Sequence, residues 1–352
     1  ITLDNLKPKL LAGYWRIVLF NDFPVNQRER FDMSQIQYYL MGGAGINIGA
    51  GLKEYSRTRV NSEAGMVGFD TSDKNFTAAF PIEQLEGVNG SGKDSTKHYD
   101  KLLPFVAANL KKHRPGVHNI IVASTAGGTG RVMAMIALRL LVESGKNVIL
   151  CLISEHTSLV DKENAVNALR SFANQCQPNQ LNRPVCYMEF LNTPNLTRKE
   201  VNLQAIDSLN LLSLLFDPGN TEIDEEDIKR FFNYSAGGKT RPALSRIHFY
   251  DQDGAADYTG KVPVSVASLY PNNDDVVPRF MGSVYRTTGI FSPNSDRPED
   301  IKELHVTLDH GEALEELEKE IEGLETVQAQ AAVDFSQQKD ISEGSNDLGF
   351  ML

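Results

Sequence analysis

Apolar residues along this chain fall into two kinds of stretch. The first is a short, mostly apolar run bounded by polar residues, glycine or proline: Ile36–Met41, Asn119–Ala123, Asn147–Ile153 and Val185–Phe190. Such runs suit strands buried on both faces of a parallel sheet, where neither face needs polar side chains. The second kind spaces its apolar positions at three- and four-residue intervals, as an amphipathic helix requires. Ser95–Lys112, with Pro104 as a point of kinking, Arg131–Ser144 and Asp161–Gln175 read this way and lie between the runs. Strand–helix alternation predicts a doubly wound α/β parallel sheet, with ligands at the carboxyl ends of its strands.

Beyond this half the pattern changes. Lys199–Phe216 reads as one long helix, with Val201, Ile206, Leu209, Leu212 and Phe216 at near-helical spacing. Arg246–Tyr250, Val262–Leu269 and Leu304–Leu308 then read as strands of a smaller, mixed α/β domain. Glu312–Glu325 carries Leu314, Leu317, Ile321 and Leu324 as a stripe. Barely two heptads are present, so a face packed on the second domain is favoured over a coiled-coil seam. Asp340–Leu352 is acidic and ends in Leu348-Gly349-Phe350-Met351-Leu352, which reads either as a frayed end or as a docking peptide on a flexible spacer. The expected division is therefore 1–32, an N-terminal extension; 33–197, the first domain; 198–216, a central helix; 217–310, the second domain; 311–337, a C-terminal helix; and 338–352, an acidic tail.

Two glycine-rich turns interrupt the first domain. Gly42-Gly43-Ala44-Gly45-Ile46-Asn47 follows Ile36–Met41, and Ser124-Thr125-Ala126-Gly127-Gly128-Thr129-Gly130 follows Asn119–Ala123. Strand, glycine turn, helix is a layout that aims backbone N–H groups and a helix N-terminus at one point, which suits a phosphate. Glycine lets the backbone approach closely and adopts φ > 0 at little cost. Two such turns can hold one polyphosphate from two sides. Other glycine motifs fit less well. A Rossmann reading of the first turn fails because Ile48 occupies the third glycine position. Gly87–Asp94, GVNGSGKD, nearly reads as a P-loop, but Asp94 stands where a Mg²⁺-binding hydroxyl is needed.

Composition narrows the partners. The chain has 352 residues and a net charge of −11, which argues against non-specific binding to nucleic acid or to an anionic membrane. Its three cysteines, Cys151, Cys176 and Cys186, form no CxxC pair and sit in apolar or helical stretches. Buried free thiols in a reducing cytoplasm are expected. No apolar run approaches the roughly 18 residues of a membrane span. Asp4, Lys7, Pro8 and Lys9 interrupt any apolar core of a secretory signal.

The glycine turns resemble those of the tubulin/FtsZ superfamily. Ala126-Gly127-Gly128-Thr129-Gly130 resembles its GGGTG signature, with Ala126 for the first glycine and Arg131 where a small hydroxyl residue is usual. Gly42, Gly43, Ala44, Gly45 and Asn47 resemble the first nucleotide loop, GGAGGN, with Ile46 for a glycine. Order and spacing also fit, from about Gln35 to about Gln337, and the chain looks most like the tubulins of large bacteriophages. The resemblance implies a GTPase that binds GTP or GDP with Mg²⁺ and assembles with itself head to tail. It further implies a filament that positions phage DNA in the cytoplasm of an infected cell, with the acidic tail contacting the neighbouring subunit. Relatives begin their first strand close to the N-terminus. Residues 1–32, which hold the only tryptophan, Trp15, are therefore either a real extension or sequence upstream of a start at Met33.

Further site residues follow from the resemblance. Asn47 and Asn202 would contact the guanine base, for which an amide offers both donor and acceptor; Asn202 also reads as a helix cap. Asp161 resembles an acidic residue that binds ribose hydroxyls, and reads equally as an N-cap. Asp70, in Gly68-Phe69-Asp70-Thr71, either approaches the Mg²⁺–phosphate region or is a plain loop aspartate. Gly90, Ser91, Gly92 and Lys93 resemble a loop that senses the γ-phosphate. No direct protein ligand for a metal is assigned. Asp224 and Asp227, three apart after Asn220-Thr221-Glu222-Ile223, resemble the FtsZ synergy loop NxDxxD, with Glu222 in place of asparagine. That loop would act as the catalytic site when inserted into the nucleotide pocket of the next subunit. Read alone, the two aspartates are acidic residues at a helix N-terminus, favoured by its dipole. A non-polymerising guanine-nucleotide-binding protein with a degenerate activating loop is the alternative.

Overall fold

The computed structural model describes residues 34–88, 98–193, 195–220, 222–250, 260–270, 282–290, 303–324 and 326. The apolar runs become the centre of a sheet: β1 (Ile36–Met41), β4 (His118–Ser124), β5 (Asn147–Glu155) and β6 (Val185–Asn192) pair in parallel in the order β1-β4-β5-β6. β2 (Gly65–Asp70) and the short β3 (Ile82–Gln84) extend the parallel array on the other side of β1. β7 (Leu244–Tyr250) continues it beside β6, Val185 opposite Leu244. β10 (Glu303–Thr307) then pairs antiparallel with both β7 and β8 (Ser265–Tyr270), and β9 (Tyr285–Ile290) closes the far edge parallel to β8. The two halves anticipated from the pattern share one ten-stranded sheet.

Alternate residues of the central strands feed two cores. On one face Tyr38, Leu40, Ile120, Val122, Ile149 and Cys151 meet α1 (Gly42–Glu54) and the central helix α6 (Arg198–Leu214). On the other, Tyr39, Met41, Ile121, Leu150 and Leu152 meet α3 (Tyr99–Lys112), α4 (Thr129–Glu143) and α5 (Leu159–Cys176). A single-turn helix, α2 (Arg59–Ser62), precedes β2. α3 runs through Pro104, whose missing N–H concerns only the first-turn carbonyl of Asp100. α6 packs through Val201, Ala205, Ile206, Leu209 and Leu212, in the same core as Ile247, Leu269 and Val306 of the second half. α7 (Glu225–Phe232) adds Ile228, Phe231 and Phe232 to it. All three cysteines are buried and free. Burial pushes the Cys176 thiol up to about 12, which keeps it protonated and unreactive.

The C-terminal helix, α8, spans 310–324. Its stripe does not face the second half as expected. Leu317 is buried against Ala165 and Val166 of α5, with Leu314 and Ile321 beside them. Ion pairs Arg170–Glu318, at 2.6 Å, and Lys162–Glu320 explain the choice: basic residues of α5 flank the seam and match the glutamates of α8. Among the described residues no helix is long and apolar enough to cross a membrane. The segment 1–32, Gly90, Ser91, Gly92 and Lys93, and the tail 338–352 lie outside the described residues.

Candidate functional site

β1 and β4 are neighbours, with Met41 opposite Ala123, so both glycine-rich segments leave the sheet side by side. They touch through backbone. A Cβ added to Gly130 would lie 3.0 Å from the Met41 carbonyl oxygen and 3.4 Å from Gly42 Cα. Gly42 has φ +69°, a conformation glycine adopts freely and a side chain resists. The expected turn before α1 is absent: the strand passes directly into the helix, with Met41 as N-cap. Neither Met41 nor Gly128, the N-cap of α4, offers a side chain to the first-turn amides. Two adjacent helix N-termini thus present uncapped N–H groups and positive dipole ends, which is the chemistry of an anion site.

Individual glycines divide by role. Gly127 has room on its open side, its nearest neighbour being Ser124 Cβ at 3.8 Å from an added Cβ. Gly45 does not: a Cβ there would sit 2.5 Å from Val122 O, so it serves the close packing of α1 on β1 and β4. Gly43 lies under the Asn75 amide, which would be 2.7 Å from its Cβ. Asn75 Nδ2 donates to Asp70 Oδ2 at 2.7 Å, and Asp70 Oδ1 accepts from Thr71 N at 2.6 Å and Ser72 N at 3.1 Å. Thr71 Oγ1 meets Thr129 Oγ1 at 3.1 Å, joining the Asp70 loop to the second turn. Asp70 is buried and has no cationic partner among the described residues. An uncompensated buried carboxylate beside an anion cradle is the donor chemistry that a hard divalent cation takes.

The second turn is braced from behind. Asn164 Nδ2 donates to the Ala126 carbonyl at 3.3 Å. Arg131, the departure from the signature, is buried and turns away from the turn's open side. Its Nη1 donates to Asn164 O at 2.5 Å and Thr125 O at 3.5 Å, and burial pulls its pKa down to about 10. Thr125 Oγ1 donates to Ser154 Oγ at 2.9 Å, Ser154 donates to Glu189 Oε1 at 2.5 Å, and Arg246 of β7 binds Glu189 Oε2 at 2.9 Å. A chain of polar contacts therefore ties the turn to the second half of the sheet.

α1 and α6 lie parallel in a constant register. An added Cβ on Gly51 would meet Ile206 Cδ1 at 2.5 Å, Tyr55 O accepts from Asn210 Nδ2 at 3.1 Å, and Thr58 Oγ1 meets Ser213 Oγ at 2.6 Å. Asn47 and Asn202 stand at the same sequence offset as these pairs, one turn towards the glycine end. Asn47 is exposed and Asn202 half-buried. Asn202 is not a cap, because Thr197 and Glu200 form the capping box of α6. Asp161 is not an N-cap either. Ser158 holds that position and donates its hydroxyl to Asp161 Oδ2 at 2.5 Å, one turn from Asn164.

The acidic loop lies elsewhere. Phe216, just past α6, stacks on His118, the first residue of β4, with ring centroids 4.0 Å apart. The second glycine turn follows the last residue of that seven-residue strand, about 20 Å away. Asp224 caps α7, its Oδ1 accepting from Glu226 N at 2.8 Å and Asp227 N at 2.9 Å. Asp227 Oδ2 accepts from Asp224 N at 3.2 Å in return, and Tyr285 donates to Asp227 Oδ1 at 2.5 Å. Asn220 Oδ1 shapes the approach by accepting from Glu222 N and Ile223 N, both at 3.1 Å.

The structure thus gathers Gly42, Gly43, Asp70 and Ala126–Gly130 at one end of the sheet and holds Asp224 and Asp227 at the other. Asn75, Thr71, Asn164 and Tyr285 were not singled out from the sequence. Thr71, Asn164 and Tyr285 act on partners distant in the chain, whereas Asn75 bonds Asp70 five residues before it, in a polar stretch that carried a local signal.

This arrangement defines a protein of the tubulin/FtsZ fold. A protofilament subunit of TubZ from bacteriophage PhiKZ superposes with a TM-score of 0.75 at 21% identity, over 84% of this chain and 92% of that one. The phage tubulin PhuZ, determined with GDP, gives 0.77 at 16%, over 84% and 93%. A subunit of an FtsZ dimer from M. jannaschii gives 0.56 at 15%, over 81% and 92%. Within the fold, the phage tubulins are thus matched over most of their length. By sequence, no protein-family profile and no curated protein matches the chain.

Proposed function

We propose that this chain is a GTPase that assembles with itself into tubulin-like filaments and hydrolyses GTP at the interface between subunits. The observation that carries the reading is the pair of uncapped helix N-termini meeting at Gly42 and Gly130, with the acidic loop at the opposite end of the sheet. Backbone N–H groups of the two turns bind the phosphates, and Asn47 and Asn202 present amides to the guanine. Asp161 answers the ribose, and by resemblance Gly90, Ser91, Gly92 and Lys93 sense the γ-phosphate. Asp70 would hold Mg²⁺ or its waters, and the ion would neutralise phosphate charge when bound.

The carboxylates of Asp224 and Asp227 repel a phosphate, so their use is to orient water and accept its proton. A distance of about 20 Å along β4 prevents them from serving their own turns, so the site is completed by the next subunit. Head-to-tail stacking supplies that geometry, and the likeness to phage protofilaments supports it. The acidic tail would dock on the neighbour, and the likeness to phage proteins supports a filament that positions DNA in the host cytoplasm. The net charge of −11 argues that neither nucleic acid nor membrane is bound directly.

A non-polymerising guanine-nucleotide-binding protein is the second reading, favoured by the engagement of both aspartates in their own capping box. Right-angle light scattering with and without GTP separates the two. A GTP-dependent rise that decays as GTP is consumed supports the filament, whereas GTP binding without scattering supports the second reading.

A further inference from the structure

The acidic loop is held by β9, the edge strand of the second half, through two residues on one face of that strand. Gly289 is the first. A Cβ on it would meet Ile223 Cδ1 at 2.8 Å and crowd the Asn220 amide, so its missing side chain lets the loop lie against the strand. Four residues earlier on the same face, Tyr285 reaches Asp227. Asp227 is thereby gripped from two directions: Oδ1 by the phenol and Oδ2 by the Asp224 amide. The backbone half of this grip is an ordinary capping box. The phenol is not part of any cap, and α7 would form without it.

We propose that Tyr285 is a positioning residue for hydrolysis, fixing the carboxylate plane of Asp227 so that a lone pair is presented to water in the adjoining subunit's site. The proposal rests on the reading of the acidic loop given above. A carboxylate that turns freely about its Cβ–Cγ bond presents that lone pair only part of the time, and each donor it accepts from removes orientations. Burial and the neighbouring Asp227 charge push the Tyr285 phenol up, so it remains a donor throughout the neutral range.

The test uses the full chain and Tyr285→Phe, which removes one oxygen from a half-buried ring. GTP turnover per polymerised subunit is expected to fall about tenfold, the effect of one hydrogen bond to a charged group. GTP affinity of the monomer and the critical concentration for assembly are expected to stay as in wild type. A merely structural tyrosine would instead show as a lowered Tm or a raised critical concentration, so the loss should lie in turnover alone. In the Asp227→Ala background, adding Tyr285→Phe should slow turnover no further, because the group it positions is gone. Wild-type turnover in Tyr285→Phe overturns the proposal and leaves the acidic-loop reading standing. An additional loss in the double variant overturns it too. Asp227→Ala turning over GTP at the wild-type rate would remove both.

Discussion

Replacing Gly127 with alanine separates what the second glycine turn does for the fold from what it does for a ligand. An added Cβ meets nothing closer than Ser124 Cβ at 3.8 Å, and Gly127 is not among the glycines with positive φ. Alanine at a compatible glycine position stiffens the unfolded chain and gains about 0.4–1 kcal/mol. In a chain of this size that raises Tm by about 1–4 °C. A phosphate held on the turn meets the same Cβ, and one lost hydrogen bond to a charged oxygen is worth about 1.5–3 kcal/mol. Affinity for GTP should therefore fall about ten- to a hundredfold while stability holds or rises. Gly45→Ala is the contrasting control. Its Cβ would stand 2.5 Å from Val122 O and 2.9 Å from Leu40 C, so α1 must lift from the sheet at a cost of about 1–3 kcal/mol or more. The measurement is fluorescence anisotropy of a GTP analogue, below the assembly concentration, beside thermal denaturation of the same samples. A folded Gly127→Ala that binds GTP as tightly as wild type would refute the assignment of this turn to phosphate.

Three further outcomes are expected. Burial beneath Phe216, with Glu225 and Lys229 acting in opposite senses, lowers the His118 pKa from 6.5 to about 4. The unfolded chain therefore binds the extra proton first, and stability present above pH 6.5 is lost as pH falls to 4, by up to about 3 kcal/mol. His118→Phe should flatten that segment of a urea-denaturation pH series; an unchanged slope would contradict it. Arg131→Met removes a buried guanidinium whose Nε has no hydrogen-bond partner among the described residues, so its desolvation cost offsets the bonds lost, but releases the clamp on Thr125 and Asn164. Stability should hold while GTP dissociates faster in stopped flow, and a wild-type off-rate would count against the clamp. Removing 340–352 should leave Tm unchanged and raise the critical concentration in a sedimentation assay; assembly at the wild-type concentration would mark the tail as a frayed end.

The centre of the sheet was legible because β1, β4, β5 and β6 are buried on both faces over most of their length and so are largely apolar. β2, with Gly65 and Gly68 in its six residues, carries too few β-branched or aromatic residues to declare itself, and β9, YRTTGI, sits at an edge where polar residues are tolerated. The first half of α1, Gly42–Asn47, was read as a turn because three of its six residues are glycine. It is a helix because Gly45 and Gly49 let it lie against Leu40, an instance of packing overriding propensity. The glycine turns and the spacing of Asp224 and Asp227 could be read from local order alone. Asn164 and Tyr285 could not, since each acts on a residue from another turn or helix. The seat of α8 was misjudged for a related reason: its glutamates find their partners in Lys162 and Arg170, far away in the chain.

The central claim is that one subunit's acidic loop completes the next subunit's nucleotide site. It is tested most directly by GTPase rate per subunit against protein concentration, from monomer to polymer, in wild type and Asp227→Ala. Because Asp227 lies far from the chain's own glycine turns, monomer GTP affinity should be nearly equal in the two proteins, and both should assemble. The wild-type rate per subunit should rise cooperatively with concentration, and that of Asp227→Ala should stay low and flat across the range. A wild-type rate that is constant from monomer to polymer would mean that hydrolysis is complete within one chain, and would contradict the account.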